Sequence, residues 1–207
     1  MTWTNLSFLF KGLFIGFAIA APVGPIGILC IRRTLANGRL VGFFSGLGAA
    51  SADMSYGAVA AFGLSVIQKL LIGAQFWLHI LGGLFLIYLG IKTFLTKPVN
   101  NQVSESSAHG LVQSYLSTLG LTLTNPATII SFTVIFAALR LGDTHGNNLS
   151  AILLVVGVFV GSSTWWLTLS WLVGLVREKF TPAWMMWVNR FAGVMIFGFG
   201  ILALVVK

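Results

Sequence analysis

Residues 12–31 carry no charged side chain, yet two prolines sit inside that run, in AAPVGPIG at residues 20–27. A proline within a helix removes a backbone donor and clashes with the preceding turn. The surrounding solvent makes the interruption costly. Of the 207 residues, 57% are hydrophobic and 8% charged, and the mean hydropathy is +0.95. That is more apolar surface than a water-soluble fold of this length hides, so the chain reads as a membrane protein. Non-helical backbone at membrane depth is tolerated only where protein buries it or a watered cavity receives it. Pro22 and Pro25 therefore predict a helix broken around a cavity or a protein contact.

A helix needs about 20 apolar residues to cross a bilayer. The hydropathy pattern predicts an all-α membrane protein with six such spans, at about 6–31, 40–66, 72–95, 112–139, 150–176 and 184–206. The first span has no basic stretch before it and reads as a retained helix rather than a signal peptide. The longest polar connection, TKPVNNQVSESSAHG at 96–110, divides the chain into 1–95 and 111–207. The two parts resemble each other. LGGLFLIYLGI at 81–91 aligns without a gap to FAGVMIFGFGI at 191–201, matching Gly83, Gly90 and Ile91 to Gly193, Gly200 and Ile201. Gly46, Gly63 and Leu64 match Gly157, Gly174 and Leu175, and Pro25 matches Pro126. A duplicated unit of three spans must enter the membrane upside down the second time. Inverted repeats with broken helices 1 and 4 and a site at the midplane are the pattern of secondary transporters.

Charge sets the expected orientation. With both termini outside, the inner loops hold Arg32, Arg33, Arg39, Lys92, Lys97, Arg177, Lys179 and Arg190. The outer side then holds Lys11, Lys69, Arg140 and Lys207, and the bias favours this orientation. The net charge of +8 is spread over short loops, which fits topology control and not a nucleic-acid surface. Cys30 is the sole cysteine, which excludes a disulfide within the chain.

Two helix starts are expected at membrane depth. Past Gly24 a helix restarts with Pro25 in its first turn, where the missing donor does no harm. In LTNPATI at 123–129, Asn125 is a good N-cap and Pro126 a good first helical residue. Each start presents backbone donors and the positive end of a helix dipole, which suits a carboxylate. Asp53 is the one acid inside a predicted span, and an ionisable group at that depth is a functional candidate. Gly42, Gly46 and Ala50 precede it on one face, so Asp53 is expected to point into the bundle. Ser51, Ser55 and Tyr56 are its expected hydrogen-bond partners. Its counterpart in the second half is Thr164, beside Ser162 and Ser163. A carboxylate that gains and loses a proton between access states is the simplest coupling device. The competing reading of Asp53 is a structural aspartate bonded to serines or backbone.

Residues 16–64, GFAIAAPVGPIGILCIRRTLANGRLVGFFSGLGAASADMSYGAVAAFGL, resemble the first conserved block of the LysE/RhtB family of amino-acid exporters. LGGLFLIYLGIKTF at 81–94 resembles the family's third helix, and NPATIISF at 125–132 its asparagine–proline motif. The resemblance implies a multi-pass exporter of the bacterial inner membrane, driven by the proton gradient and using no cofactor. It implies substrate contacts at Pro22, Gly24, Pro25, Asn125 and Pro126, with the proton on Asp53. The family often has P-G-P where this chain has PVGP, which leaves the local geometry and the substrate open. The chain is compatible with a homo-oligomer, and it offers no nucleophile–base constellation in the spans for an enzyme. The alternatives are a solute or water channel, since aquaporins also use NPA at half-helix starts, and a metal-ion transporter. A channel of that kind needs a second such motif. A metal transporter needs more carboxylates or histidines in the spans than Asp53 and His79.

The orientation is open to a direct check. Reporter fusions after Leu35, Thr96 and Glu178 should report cytoplasm, and fusions after Lys69 and Asp143 the outside. The opposite pattern would reverse the orientation and leave the repeat standing.

Overall fold

The computed structural model describes residues 3–22, 24–62, 75–96, 108–125, 128–132, 148–179 and 181–205. Pro126, most of the 96–110 connection and the side chain of His79 lie outside the described residues. The described chain is helical, and its first helix stops where the prolines demand. Helix α1, Trp3–Ala20, ends with the Ala21 N–H donating to the Phe17 carbonyl at 3.0 Å. Helix α2, Pro25–Asn37, begins after Gly24, whose backbone is extended (φ −102°, ψ −165°). The Gly24 carbonyl accepts the first helical bond from Ile28 at 3.0 Å, and Pro25 occupies the turn where its absent N–H costs nothing. Across this break the axes of 6–20 and 25–37 diverge by 79°.

The expected polar loop around 32–39 does not exist. Helix α2 continues through Arg32 and Arg33, and Gly38 alone joins it to α3, Arg39–Ala61. Gly38 has φ +99°, a conformation a side chain disfavours, and its N–H bonds the Thr34 carbonyl at 2.9 Å. One glycine in that conformation reverses the chain without a longer loop. Arg32 and Arg33 therefore sit in a helix, half-buried, rather than in a solvated connection.

A second interruption follows the 96–110 connection. Helix α4, Gln75–Leu95, precedes the connection, and α5, Ala108–Leu123, follows it. The chain then leaves the helix at Thr124 and Asn125 and is helical again at 128–132. The Asn125 carbonyl accepts from Thr128 at 3.1 Å and Ile129 at 3.3 Å, so the new helix starts where the asparagine–proline pair predicts. Helix α6, Asn148–Val176, passes through a 3₁₀ turn, Arg177–Lys179, toward α7, Pro182–Val205.

Small residues set how these helices meet. Helix α1 runs parallel to α6, with Gly12 against Leu154, Gly16 against Val158, and Gly157 and Gly161 against Leu9 and Leu13. A Cβ added at any of these glycines would run into the partner's backbone. Helix α3 runs parallel to α5, with Gly48 against the Tyr115 carbonyl, and antiparallel to α6. Helix α4 lies antiparallel to α7, with Gly83 facing Gly200 and Leu204, and Gly193 facing Phe94. Close backbone approach through glycine is how membrane helices gain packing when burial of apolar surface gains nothing. Outward, Phe14, Trp77, Leu81, Trp187, Phe191 and Leu202 are exposed, an apolar exterior suited to lipid. Among the described residues, α6 and 183–205 of α7 are long and apolar enough to cross a membrane, and the bent pair of α1 and α2 makes a third such unit.

The packing separates two kinds of glycine. Gly16→Leu should lower the unfolding temperature in detergent sharply, because overpacking against backbone typically costs about 1–3 kcal/mol or more. Gly120→Leu and Gly198→Leu face open space and should leave it nearly unchanged. Equal shifts at all three positions would contradict the α1–α6 seam.

Candidate functional site

Asp53 is 3% exposed, midway along α3 where that helix lies against α6. Its Oδ2 accepts a hydrogen bond from the Ser162 hydroxyl at 2.7 Å. The Ser162 oxygen in turn accepts from the Trp166 indole N–H at 3.2 Å. The small face of α3 makes this possible: Trp166 packs directly over Gly46, and Gly57 sits against Val158. The acid is thus held across a helix seam by a neutral donor, with no salt bridge to it among the described residues. A carboxylate kept that way depends on its local hydrogen bonds and not on a fixed counter-ion.

Both interruptions border this acid. Ala49 and Ala50, one turn before Asp53, pack in a buried cluster with Ala20 and Ile26 from either side of the first break, together with Leu121 and Trp166. Tyr56, one turn after it, packs in a second cluster with Ile15, Ile129 and Phe132, which brings in the helix that starts after Asn125. The Tyr56 hydroxyl donates to the Leu123 carbonyl at 2.5 Å, on the last residue of α5 before the break. The tyrosine thereby ties α3 to the C-terminal end of α5. Around the first break Pro22 is exposed, whereas Gly24 and Pro25 are half-buried, as is Asn125 at the second.

Asp53 points into the bundle as the small-residue face predicts, but its partners differ from those expected. Ser51 donates to the Leu47 carbonyl at 2.9 Å and Ser55 to the Ser51 carbonyl at 2.9 Å, each back to its own helix. Tyr56 reaches α5 instead. Thr164, the aligned counterpart of Asp53, is exposed and bonds the Val160 carbonyl at 2.7 Å. Ser162, two residues away, is the residue that meets the acid. Trp166 is buried, and its bond to Ser162 is a link its sequence position did not signal. The available clue was the spacing of Val158, Ser162 and Trp166, one helical face, opposite the glycine face of α3. Among the described residues, no group of three His, Cys, Asp or Glu side chains comes together to hold a metal ion.

Breaks in two helices thus flank a buried acid. The sequence model described as "LysE type translocator" matches residues 17–207. The chain belongs to the LysE type translocator family. A LysE type translocator is a membrane transport protein, and the match runs on past the three stretches of resemblance to residue 207. "Putative amino acid efflux protein YcgF" of Bacillus subtilis (strain 168) is 28% identical over 198 residues, covering 91% of this chain and 90% of that protein. "Uncharacterized membrane protein slr1627" of Synechocystis sp. (strain ATCC 27184 / PCC 6803 / Kazusa) is 24% identical over 133 residues, covering 64% of this chain and 63% of that one. No solved structure matches this translocator.

The Asp53–Ser162 bond makes an energetic prediction. In a double-mutant cycle of Asp53→Asn and Ser162→Ala, read from unfolding in detergent, the two changes should couple by about 0.5–3 kcal/mol. Additive effects would mean that the two side chains do not interact.

Proposed function

We propose that this translocator exports an amino acid, or a related small metabolite bearing a carboxylate, across the bacterial inner membrane by proton antiport. Six spans form two inverted halves, 1–95 and 111–207, joined by 96–110. The substrate carboxylate lies at the half-helix starts framed by Pro22, Gly24 and Pro25 and by Asn125 and Pro126. Asp53 carries the proton. The observation that bears most weight is the burial of Asp53 between the two breaks with only a neutral donor on its Oδ2. A residue so held changes charge without breaking an ion pair. The name of the Bacillus subtilis relative, an amino acid efflux protein, supports the substrate class.

Helix directions support the inverted repeat. The contact of α1 with α6 has its counterpart in that of α5 with α3, and both pairs run parallel. The pairs α3 with α6 and α4 with α7 run antiparallel, each joining equivalent spans of the two halves. Strict alternation of six spans about a two-fold axis requires these four directions.

Coupling is tested in proteoliposomes loaded with a panel of labelled amino acids, with and without an imposed pH gradient. Asp53→Asn retains shape and hydrogen bonding but cannot change charge. The variant should fold, lose uphill gradient-driven transport, and keep downhill exchange of the same substrate. Full gradient-driven transport by Asp53→Asn would contradict the coupling role and leave a structural aspartate.

A further inference from the structure

Helix α2 is fastened at its far end by three arginines, and among the described residues each of them bonds neutral acceptors. The Arg33 Nη1 donates to Ser45 Oγ at 3.0 Å, to the Ser114 carbonyl at 3.0 Å and to Thr118 Oγ1 at 2.9 Å. Its Nη2 donates to Ser117 Oγ at 2.8 Å. Arg32 Nε donates to Asn189 Oδ1 at 3.0 Å, and Asn189 Nδ2 donates to the Thr96 carbonyl at 3.0 Å. Arg177, just past α6, donates from Nε to the Leu35 carbonyl at 3.0 Å and from Nη2 to the Ala36 carbonyl at 3.4 Å. One short helix is thereby tied to α3, α5, α7, the end of α4 and the end of α6.

The hydroxyls around Arg33 have no donor left for an anion. Ser45 gives its proton to the Val41 carbonyl, and Ser117 and Thr118 give theirs to the Ser114 carbonyl. Each therefore only accepts from the guanidinium, which makes this nest a fastening rather than an anion site. Its chemistry suits repeated release. Separating an arginine from a carboxylate in a poorly solvated place leaves two opposite charges to be resolvated, whereas water replaces hydroxyl and carbonyl acceptors one for one. At its other end α2 meets α1 at a 79° bend between the axes of 6–20 and 25–37, the place where a swing of α2 pivots.

We propose that this arginine clasp is the closed gate on the arginine-bearing side of the bundle, and that access from that side requires α2 to swing about the break and release it. The purpose assigned to the motion rests on the transport reading; the motion itself does not. A native reporter lies behind the clasp. Cys30 is 1% exposed, one turn before Thr34 on α2, and packs with Ala49, Leu121, Trp166 and Ile196 from four other helices.

The experiment is the rate of Cys30 alkylation by N-ethylmaleimide in membranes holding the full chain, with no substrate added. Wild type should react slowly. Arg33→Gln should react about tenfold faster or more, the change expected on losing a charge-assisted hydrogen bond. The double variant Ser117→Ala/Thr118→Ala, which retains Arg33, should also react faster, and it carries the test if Arg33→Gln fails to insert. Gly198→Ala, at a position open to the surroundings, should match wild type. Unchanged labelling in the clasp variants, or an equal rise in Gly198→Ala, would overturn the gate. Accelerated labelling in a chain that transports nothing would retain the gate and remove the transport reading.

Discussion

Within hydrocarbon a peptide group has no water to bond, so each interruption of a helix leaves donors and acceptors that the protein itself must satisfy. This constraint governs the molecule at two places, around Gly24 and around Asn125. At the first, Gly24 offers its carbonyl to Ile28 and Pro25 removes one donor from the account. At the second, Tyr56 takes up the Leu123 carbonyl and Asn125 receives Thr128 and Ile129. The helices packed around these places follow from the same need. Glycine seams bring α1 onto α6 and α3 onto α5 closely enough for side chains of one helix to serve the backbone of another.

Among the described residues, polar interactions in the interior share one property: charged side chains meet neutral partners. Asp53 meets a serine; Arg33 meets three hydroxyls and a carbonyl; Arg32 meets an asparagine; Arg177 meets two carbonyls. A buried ion pair resists any motion that separates it. Neutral partners hold a geometry and still permit it to be exchanged, which is what alternating access asks of a bundle. The acid and the arginine-bearing end lie along the same α3–α6 seam, where Gly42 and Arg39 meet Ser170 and Gly174 below Trp166. Movement of α2 against that seam therefore bears on the surroundings of Asp53.

Much of this was legible in the sequence because it is local. Prolines break helices wherever they fall, so Pro22, Pro25 and the start after Asn125 could be located from residue type alone. Asp53 stood out because no other acid lies in a span, and its inward direction followed from Gly42, Gly46 and Ala50 on the same face. The partners were not legible, because Ser162 and Trp166 lie more than a hundred residues away and their meeting depends on the register of α3 against α6. Internal alignment pointed to Thr164, but alignment of two segments does not fix which side chain faces the seam. Arg32 and Arg33 misled for a related reason. A pair of arginines after an apolar run suggests a solvated loop, whereas the helix runs on to Asn37 and Gly38 alone turns the chain.

The central claim is export of a carboxylate-bearing metabolite, and the spent medium of growing cells tests it without a prior choice of substrate. Cells with and without the gene should be compared by untargeted metabolite analysis at matched density. The account predicts that an amino acid or related carboxylate accumulates outside the cells that carry the gene and is retained by those that lack it. Identical media, or a difference confined to metabolites without a carboxylate, would contradict it.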